Sequence, residues 1–269
     1  MKKLSTLFLF FIITSSILAQ DKEKLPVFRF GLKISPSVAW LGPDKTKFNG
    51  LTVENGGAKI KFGYGLITEF RLSKNYSFLT GVEVNYVGGS INYKDVNKVN
   101  YKINDSTAFF LKSREYKQQY VTIPLALKLK TNEIGFMTYF GQIGVDLSFK
   151  VKGRANDDGT LFYLDSVAGT YTLPGAAHTA SDVDILKQQS LFRIALNVGI
   201  GAEFNIAGNT SLLVAVNYNN GFTNFFYNKT KDENKLVDSN KSATATTPPQ
   251  KLEEKATSNY VALTVGVLF

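Results

Sequence analysis

The chain has no cysteine among its 269 residues. This excludes disulfides, thiolate metal sites, a cysteine nucleophile and a cysteine-linked lipid anchor. Its single histidine, His178, leaves little basis for a metal centre built on imidazole ligands. Beyond the first 20 residues there is also no apolar run long enough for a transmembrane helix, which needs roughly 20 residues. Any further membrane crossing must therefore be made by β-strands.

The N-terminus has the features of a secretory signal peptide. Lys2 and Lys3 precede an apolar stretch over residues 4–18, and Ala19 offers a small residue at the expected cut. We expect residues 1–19 to be cleaved and residues 20–269 to form one exported domain. An uncleaved N-terminal anchor is the alternative, although the stretch is short for a spanning helix.

The charge is basic but scattered. The formal net charge is +9, and losing Lys2 and Lys3 leaves about +7 for the mature chain. Nucleic-acid binding would require basic residues clustered on one face, whereas here acidic residues are interleaved with them. The export signal argues against nucleic acid as well. Contact with anionic lipid at a membrane surface, including lipopolysaccharide, is favoured instead.

Eight segments alternate apolar and polar residues with a period of two, which predicts β-strands. They cover about residues 27–41, 60–72, 76–94, 118–131, 136–151, 191–205, 210–226 and 259–269.

The connections between these segments alternate in length. Short turns are expected at residues 73–75, 132–135 and 207–209, whereas the other four connections are long loops. Those loops cover residues 42–59, 95–117, 153–190 and 227–257, and we expect the last to be mobile and exposed. In an up-and-down meander all the short turns lie at one end, as in outer-membrane barrels. We therefore predict an all-β fold, an eight-stranded antiparallel up-and-down transmembrane β-barrel with short periplasmic turns and long extracellular loops.

The last strand ends on an aromatic residue, Phe269, after alternating apolar positions. This resembles the aromatic ending by which bacterial outer-membrane barrels are recognised, so we expect Phe269 to act as an assembly signal for the barrel-assembly machinery. We expect this strand to pair antiparallel with the 27–41 strand, because closure removes both free edges.

The polar positions that alternate with the apolar ones, here called the polar phase, carry mostly small residues and a few charges of both signs. This composition suits the narrow interior, or lumen, of a small barrel. Paired charges would hold the barrel shape from inside. The alternative functions are a narrow passive channel for small solutes and a soluble periplasmic lipocalin-like barrel, with its apolar face turned inward around a ligand. The predicted lumen charges are Arg29, Lys33, Lys61, Glu69, Arg71, Glu83, Lys128, Lys130, Asp146, Arg193 and Glu203.

The sequence offers no catalytic, metal or cofactor site. His178 lies in a Gly/Ala-rich loop without a Gly-x-Ser-x-Gly elbow, so catalysis is not expected. Residues 156–159 (Asn-Asp-Asp-Gly) lack the spaced ligands of a calcium loop and are expected to form a turn. Pro124 cannot donate to a strand ladder, which predicts a bulge beside it.

Several segments resemble the PorT-like family of small outer-membrane β-barrels of Bacteroidota. Residues 30–37 (FGLKISPS) resemble its first strand, and residues 120–130 (YVTIPLALKLK) resemble its Ile-Pro-Leu strand. Residues 140–144, 197–204 and 218–224 resemble its later strands. The resemblance implies an outer-membrane location and a structural, binding or secretion-accessory role with an unidentified protein partner.

Charge substitutions test which face meets lipid. We expect Val214→Lys or Leu196→Lys to cripple assembly, since a Lys at the midplane of such a barrel costs roughly 2–4 kcal/mol. Gly65→Ala should be milder, and Asn197→Lys should be tolerated. Heat-modifiable migration of the membrane fraction measures assembly. Equal tolerance of Lys on both faces would contradict the membrane interpretation.

Overall fold

The computed structural model describes residues 28–44, 51–95, 99–167, 169–229, 236–238 and 252–269, and the expected signal peptide lies outside them. Within these ranges a 3-10 turn, Leu186–Gln188, precedes β9. In the part of the chain described, no helix is long and apolar enough to cross a membrane. The β-strands are β1 (Phe28–Pro43), β2 (Val53–Asn55), β3 (Lys59–Arg71), β4 (Tyr76–Tyr93), β5 (Val99–Asn104), β6 (Thr107–Lys130), β7 (Met137–Asp165), β8 (Thr170–Asp184), β9 (Phe192–Ala207), β10 (Thr210–Gly221), β11 (Val237–Asp238) and β12 (Ala256–Leu268).

Eight of these strands close into a ring. The antiparallel order is β1, β3, β4, β6, β7, β9, β10, β12 and back to β1. At the closing seam Leu32 lies opposite Val267, and Val38 lies opposite Val261. The eight-stranded up-and-down barrel is therefore confirmed, together with the pairing of the first and last strands. Closure gives every ring strand a hydrogen-bonded neighbour on both sides, as a lipid environment requires.

The short connections lie at one end of the barrel. The turns β3–β4, β6–β7 and β9–β10 share this end with the start of β1 and the end of β12. Here the Phe269 N–H donates to the Phe30 carbonyl oxygen at 2.7 Å, and the two rings lie 5.7 Å apart. In outer-membrane barrels this is the periplasmic end.

Two of the expected long loops are strands, and the loop interpretation of them is wrong. Residues 95–117 contain β5 and the first part of β6, which pair as a hairpin. Residues 153–190 contain the second part of β7 and all of β8, which pair likewise. β6 and β7 have 24 and 29 residues, whereas about 9–11 residues span a bilayer. Their outer halves therefore extend beyond the membrane.

The faces of the ring strands are oriented as expected. On the apolar face Leu32 is 60% exposed and Ile200 71% exposed, whereas on the polar face Glu69 is 1% and Lys128 0% exposed. The apolar face thus points outward toward lipid, and the lipocalin-like arrangement is wrong.

The expected bulge at Pro124 is absent. Pro124 lies opposite Asp146 in unbroken β6–β7 register, and the nearest register shift in that pair is between Gln119 and Tyr120. The β4–β6 ladder instead opens opposite Pro124, between the pairs Leu79–Ala126 and Glu83–Thr122, without changing register. An opened ladder accommodates the missing N–H of proline without an extra residue.

Gly65 lies close to the backbone of β4. A Cβ at Gly65 would lie only 2.4 Å from the Val82 carbonyl oxygen on β4. Because that atom is backbone, a methyl group here would displace a strand. Gly65→Ala therefore carries a backbone cost, and whether it is milder than the lysine substitutions stays a prediction.

Candidate functional site: the lumen and the extracellular cap

The lumen is filled in layers, and the inward residues of β6 show their order. From the periplasmic end these are Lys130, Lys128, Ala126, Pro124, Thr122 and Tyr120. Charged, apolar, polar and aromatic side chains thus follow one another along the barrel axis. The strand alternation places all of them on one face.

The periplasmic charge layer joins four strands. Glu203 on β9 accepts from Arg29 of β1 at 2.9 Å and from Lys130 of β6 at 3.1 Å, and it also pairs with Lys128. Glu69 on β3 lies 3.3 Å from Lys128 and 3.8 Å from Arg29, and it pairs with Lys130. Two buried carboxylates are thus shared by three cations. Such sharing offsets the cost of removing these charges from water.

A cup of about 470 Å³ opens below this layer toward the periplasm. Arg71 lines it and has no ion pair among the described residues, unlike the other predicted cations of this layer. Lys74 lines it as well, opposite Glu133 and Asn209. The cup is therefore positively charged on balance.

A small apolar layer lies above the charge layer. It is built from Ile67, Leu79, Ala126, Phe140, Leu213, Ala215 and Leu268. The Lys128 ammonium sits 4.1 Å from the centre of the Phe140 ring and so joins the two layers. This cation–π contact partly stabilises a fully buried charge.

The polar layer above contains the other predicted charges. Lys33 pairs with Glu83. Asp146 accepts from the Asn197 amide at 3.1 Å and from the Asn219 amide at 2.6 Å.

The outermost predicted cations complete the set. Arg193 donates to the Ser258 hydroxyl at 2.7 Å, and its guanidinium carbon lies 5.5 Å from the centre of the Tyr260 ring. Lys61 lies apart, at the outer end, where it pairs with Glu115 at 3.3 Å. The structure thus brings ten of the eleven predicted residues into the lumen layers or the cup, and Lys61 into a pair that was not predicted.

Sequence reasoning missed the amides that connect the polar layer. Asn217 accepts from the Gln142 amide at 2.8 Å and donates to Thr264 at 2.8 Å. Asn217 and Asn219 occupy the inward phase of β10, so their positions were visible in the alternation. The predicted lumen set contains only the charged side chains on that face, so it does not include these amides.

Little space remains in the middle of the lumen. Two cavities there have volumes of about 20 and 30 Å³, and each has room for one or two water molecules.

The outer ends of the strands enclose a second core, here called the extracellular cap. It packs residues from β1, β2, β4, β5, β6, β7 and the start of β12 together with the segments before β2, before β9, after β10, before β11 and before β12. The buried members are Leu41, Leu51, Val53, Ile91, Tyr93, Val99, Tyr101, Phe109, Leu111, Tyr116, Ala155, Ile185, Phe225, Phe226, Leu236, Leu252 and Ala256.

A buried ion pair lies within the cap. Arg114 on β6 donates to both carboxylate oxygens of Asp157 on β7, at 2.6 and 2.7 Å. Burial lowers the pKa of Arg114, but the Asp157 hydrogen bonds and charge outweigh it and hold that pKa above its ordinary value. The guanidinium also lies 5.5 Å from the centre of the Tyr101 ring. This two-pronged geometry is the strong form of a carboxylate–arginine bond.

Two tyrosine hydroxyls lie beside that pair. Tyr93 and Tyr116 are hydrogen-bonded to each other at 3.1 Å, and Tyr93 donates to Glu254 at 3.4 Å. Burial is the main cause that raises the pKa of both tyrosines, and the Glu254 charge adds to it. Both remain neutral donors at ordinary pH.

Three sequence-based expectations are corrected in the cap. Residues 156–159 are part of β7 and not a turn, and Asp157 supplies the ion pair. His178 lies in β8 and not in a loop, with its ring 5.9 Å from Phe109. In the last long loop the described residues Leu236 and Leu252 are buried in the cap core; the rest of that loop lies largely outside the described residues.

The closed ring, the outward apolar face and the filled lumen define an outer-membrane β-barrel protein. The family model "Outer membrane protein beta-barrel domain" matches residues 18–172. The chain belongs to this family, and its location is the outer membrane. No curated protein sequence matches it.

Several solved structures are similar to this chain at low identity. Neisserial surface protein A is 13% identical with a TM-score of 0.39, covering 91% of this chain and 98% of its own. OprG from Pseudomonas aeruginosa is 10% identical with a TM-score of 0.41, covering 90% and 95%. Ail of Yersinia pestis is 11% identical with a TM-score of 0.32, covering 90% and 98%.

Neutralising Glu203 tests the charge layer. We expect Glu203→Gln to destabilise the barrel strongly, because removing one partner of a buried pair typically costs roughly 3–5 kcal/mol. Urea unfolding followed by heat-modifiable migration measures this. Glu133→Gln, at an exposed position in the cup rim, is the matched control. Equal midpoints for both variants would contradict a stabilising role for the layer.

Neutralising Asp157 tests the cap. We expect Asp157→Asn to loosen the cap while the barrel stays folded, since Arg114 would be left buried without its counter-charge. Protease added to intact cells should cut the variant in the outer strands and leave the wild type whole. The adjacent exposed residue supplies the control, Asp158→Asn, which should stay resistant. Resistance of Asp157→Asn would show that the ion pair is dispensable.

Proposed function

We propose that this protein is a closed, non-catalytic barrel that anchors the extracellular cap and presents it at the cell surface as a structural or binding module. The observation that carries the proposal is the filled lumen, with cavities of only about 20 and 30 Å³ at its middle. A hydrated small solute needs a wider path than one or two water sites. The passive-channel function is therefore disfavoured.

The cap supports the binding half of the proposal. The cap has a hydrophobic core of its own and a buried ion pair. Flexible loops require neither a core nor a buried ion pair. Loops held by a rigid scaffold are the usual place for recognition. An accessory role in secretion, as the PorT-like resemblance implies, is the finer hypothesis, with a protein partner at this cap or at the periplasmic cup.

Export and assembly complete the proposal. Cleavage after Ala19 would free residues 20–269 in the periplasm, and the barrel-assembly machinery would then insert the chain. Phe269 lies at the periplasmic end with its side chain 46% exposed, which suits a recognition signal. The proposal assigns no catalytic role: the described residues contain no cluster of metal-ligating side chains, and His178 packs against Phe109.

Planar-bilayer recording tests the closed barrel. We expect the purified protein to give a conductance equal to that of bare lipid, because the side-chain layers of the lumen leave no path for ions or water. A general porin inserted in the same bilayer is the positive control, and heat-modifiable migration of the recovered protein shows that it was folded. Reproducible conductance steps from folded protein would overturn the closed-barrel proposal and restore the channel.

A further inference from the structure

An apolar groove lies on the outside of the barrel wall where β7 extends past the start of β9. The β7–β9 pairing ends at Phe149 opposite Phe192, and the next contact is the Lys150 N–H donating to the Leu191 carbonyl oxygen at 2.9 Å. Beyond that point the segment before β9 remains bonded to β7, because the Ile185 N–H donates to the Gly153 carbonyl oxygen at 3.2 Å. A groove of about 570 Å³ lies here, and its apolar lining is Val151, Leu186, Leu191 and Tyr227.

The groove lies at the level of the outer-leaflet headgroups. Just below it, the Phe149 and Phe192 rings pack edge to face with centres 5.0 Å apart. At the outer ends of β1 and β10, Trp40 and Tyr218 stack at 6.4 Å. Aromatic side chains of this kind mark the membrane–water interface. The outer leaflet of an outer membrane is built from lipopolysaccharide, so a phosphorylated headgroup is the lipid group expected at this level.

Three lysines and no carboxylate line the groove. They are Lys150, Lys187 and Lys229. Lys150 is 7% exposed, and its ammonium donates to the carbonyl oxygens of Leu186 at 2.5 Å and Gln189 at 2.6 Å. It therefore holds the turn in place without any ion pair among the described residues. Lys187 and Lys229 are exposed at the rim.

We propose that this groove binds the phosphorylated lipid A headgroup of one lipopolysaccharide molecule. The lysine ammonium groups would contact a phosphate, and an acyl chain would lie against Val151 and Leu191. Basic pockets beside an apolar wall recognise anionic lipid headgroups in this way. Free phosphate would use the lysines but not the apolar lining, which is half exposed to lipid.

Binding of fluorescent lipopolysaccharide to the full-length protein in detergent tests the proposal. We expect Lys187→Glu with Lys229→Glu to weaken binding roughly tenfold or more, since each cation near an anionic surface contributes to the affinity. The matched control reverses two exposed lysines on the distant β5–β6 hairpin, as Lys102→Glu with Lys112→Glu. It should bind like wild type. Heat-modifiable migration shows that each variant is folded, and Lys187→Gln with Lys229→Gln replaces the first variant should that one misfold.

Two further ligands identify the chemistry. Dephosphorylated lipid A should bind wild type as weakly as lipopolysaccharide binds the doubly substituted groove variant, and inorganic phosphate should not displace lipopolysaccharide. Equal affinity of the groove variant and the control, or full binding of dephosphorylated lipid A, would overturn the proposal. Displacement by inorganic phosphate would do so too, because it would indicate a simple anion site. A conducting barrel could still bind the lipid, so failure here is distinct from failure of the closed-barrel proposal.

Discussion

The pairing of β1 with β12 is the constraint on which the rest of the structure depends. Lipid supplies no hydrogen-bond partners, so a sheet that crosses a bilayer must satisfy every backbone group internally. The seam does this along most of β1, from Gly31 opposite Leu268 to Pro43 opposite Ala256. Closing only eight strands also fixes a narrow interior. Because the interior is narrow, the inward side chains have to fill the lumen, and the charged side chains among them have to be paired with opposite charges.

The inward side chains show that one alternating strand pattern is used in several environments, from the periplasmic charge layer to the extracellular cap. Glu69 and Glu203 are shared among three cations at the periplasmic end, while Asn217 and Asn219 join the polar layer further out. Where the sheet leaves the membrane, its two longest strands continue and enclose an apolar core around Arg114 and Asp157. The described edge of this extension, β8, contains Pro174 and pairs with β7 through several register shifts. Such features discourage pairing with another chain through this edge.

The barrel was predictable from sequence, and the cap was not. Each ring strand faces lipid on one side and the lumen on the other, so its alternation records both the strand and its orientation. In the cap the strands are packed more evenly, and the adjacent residues Phe109, Phe110 and Leu111 are all buried. The period-two alternation is therefore lost in the cap strands, and Asn-Asp-Asp-Gly has the composition of a turn although it lies in β7.

The eleven lumen charges could be identified because they occupy the polar positions of the strand alternation. The partner of each charge could not be identified in this way. Arg29 and Glu203 are 174 residues apart, and Arg114 and Asp157 are 43 residues apart, so only the register brings each pair together.

Disulfide cross-linking at the β1–β12 seam tests closure most directly. Because the chain has no native cysteine, only the introduced cysteines can form a disulfide. Val38 and Val261 are directly opposite across β1 and β12, within the Cα separation that a disulfide spans. After mild oxidation in the membrane, Val38→Cys with Val261→Cys is expected to form an intramolecular disulfide, seen as altered migration of the boiled, unreduced protein. Val38→Cys with Leu263→Cys, shifted by two residues on the same face, should cross-link far less. Failure of the first pair in folded protein, or equal cross-linking of both, would contradict a barrel closed in this register.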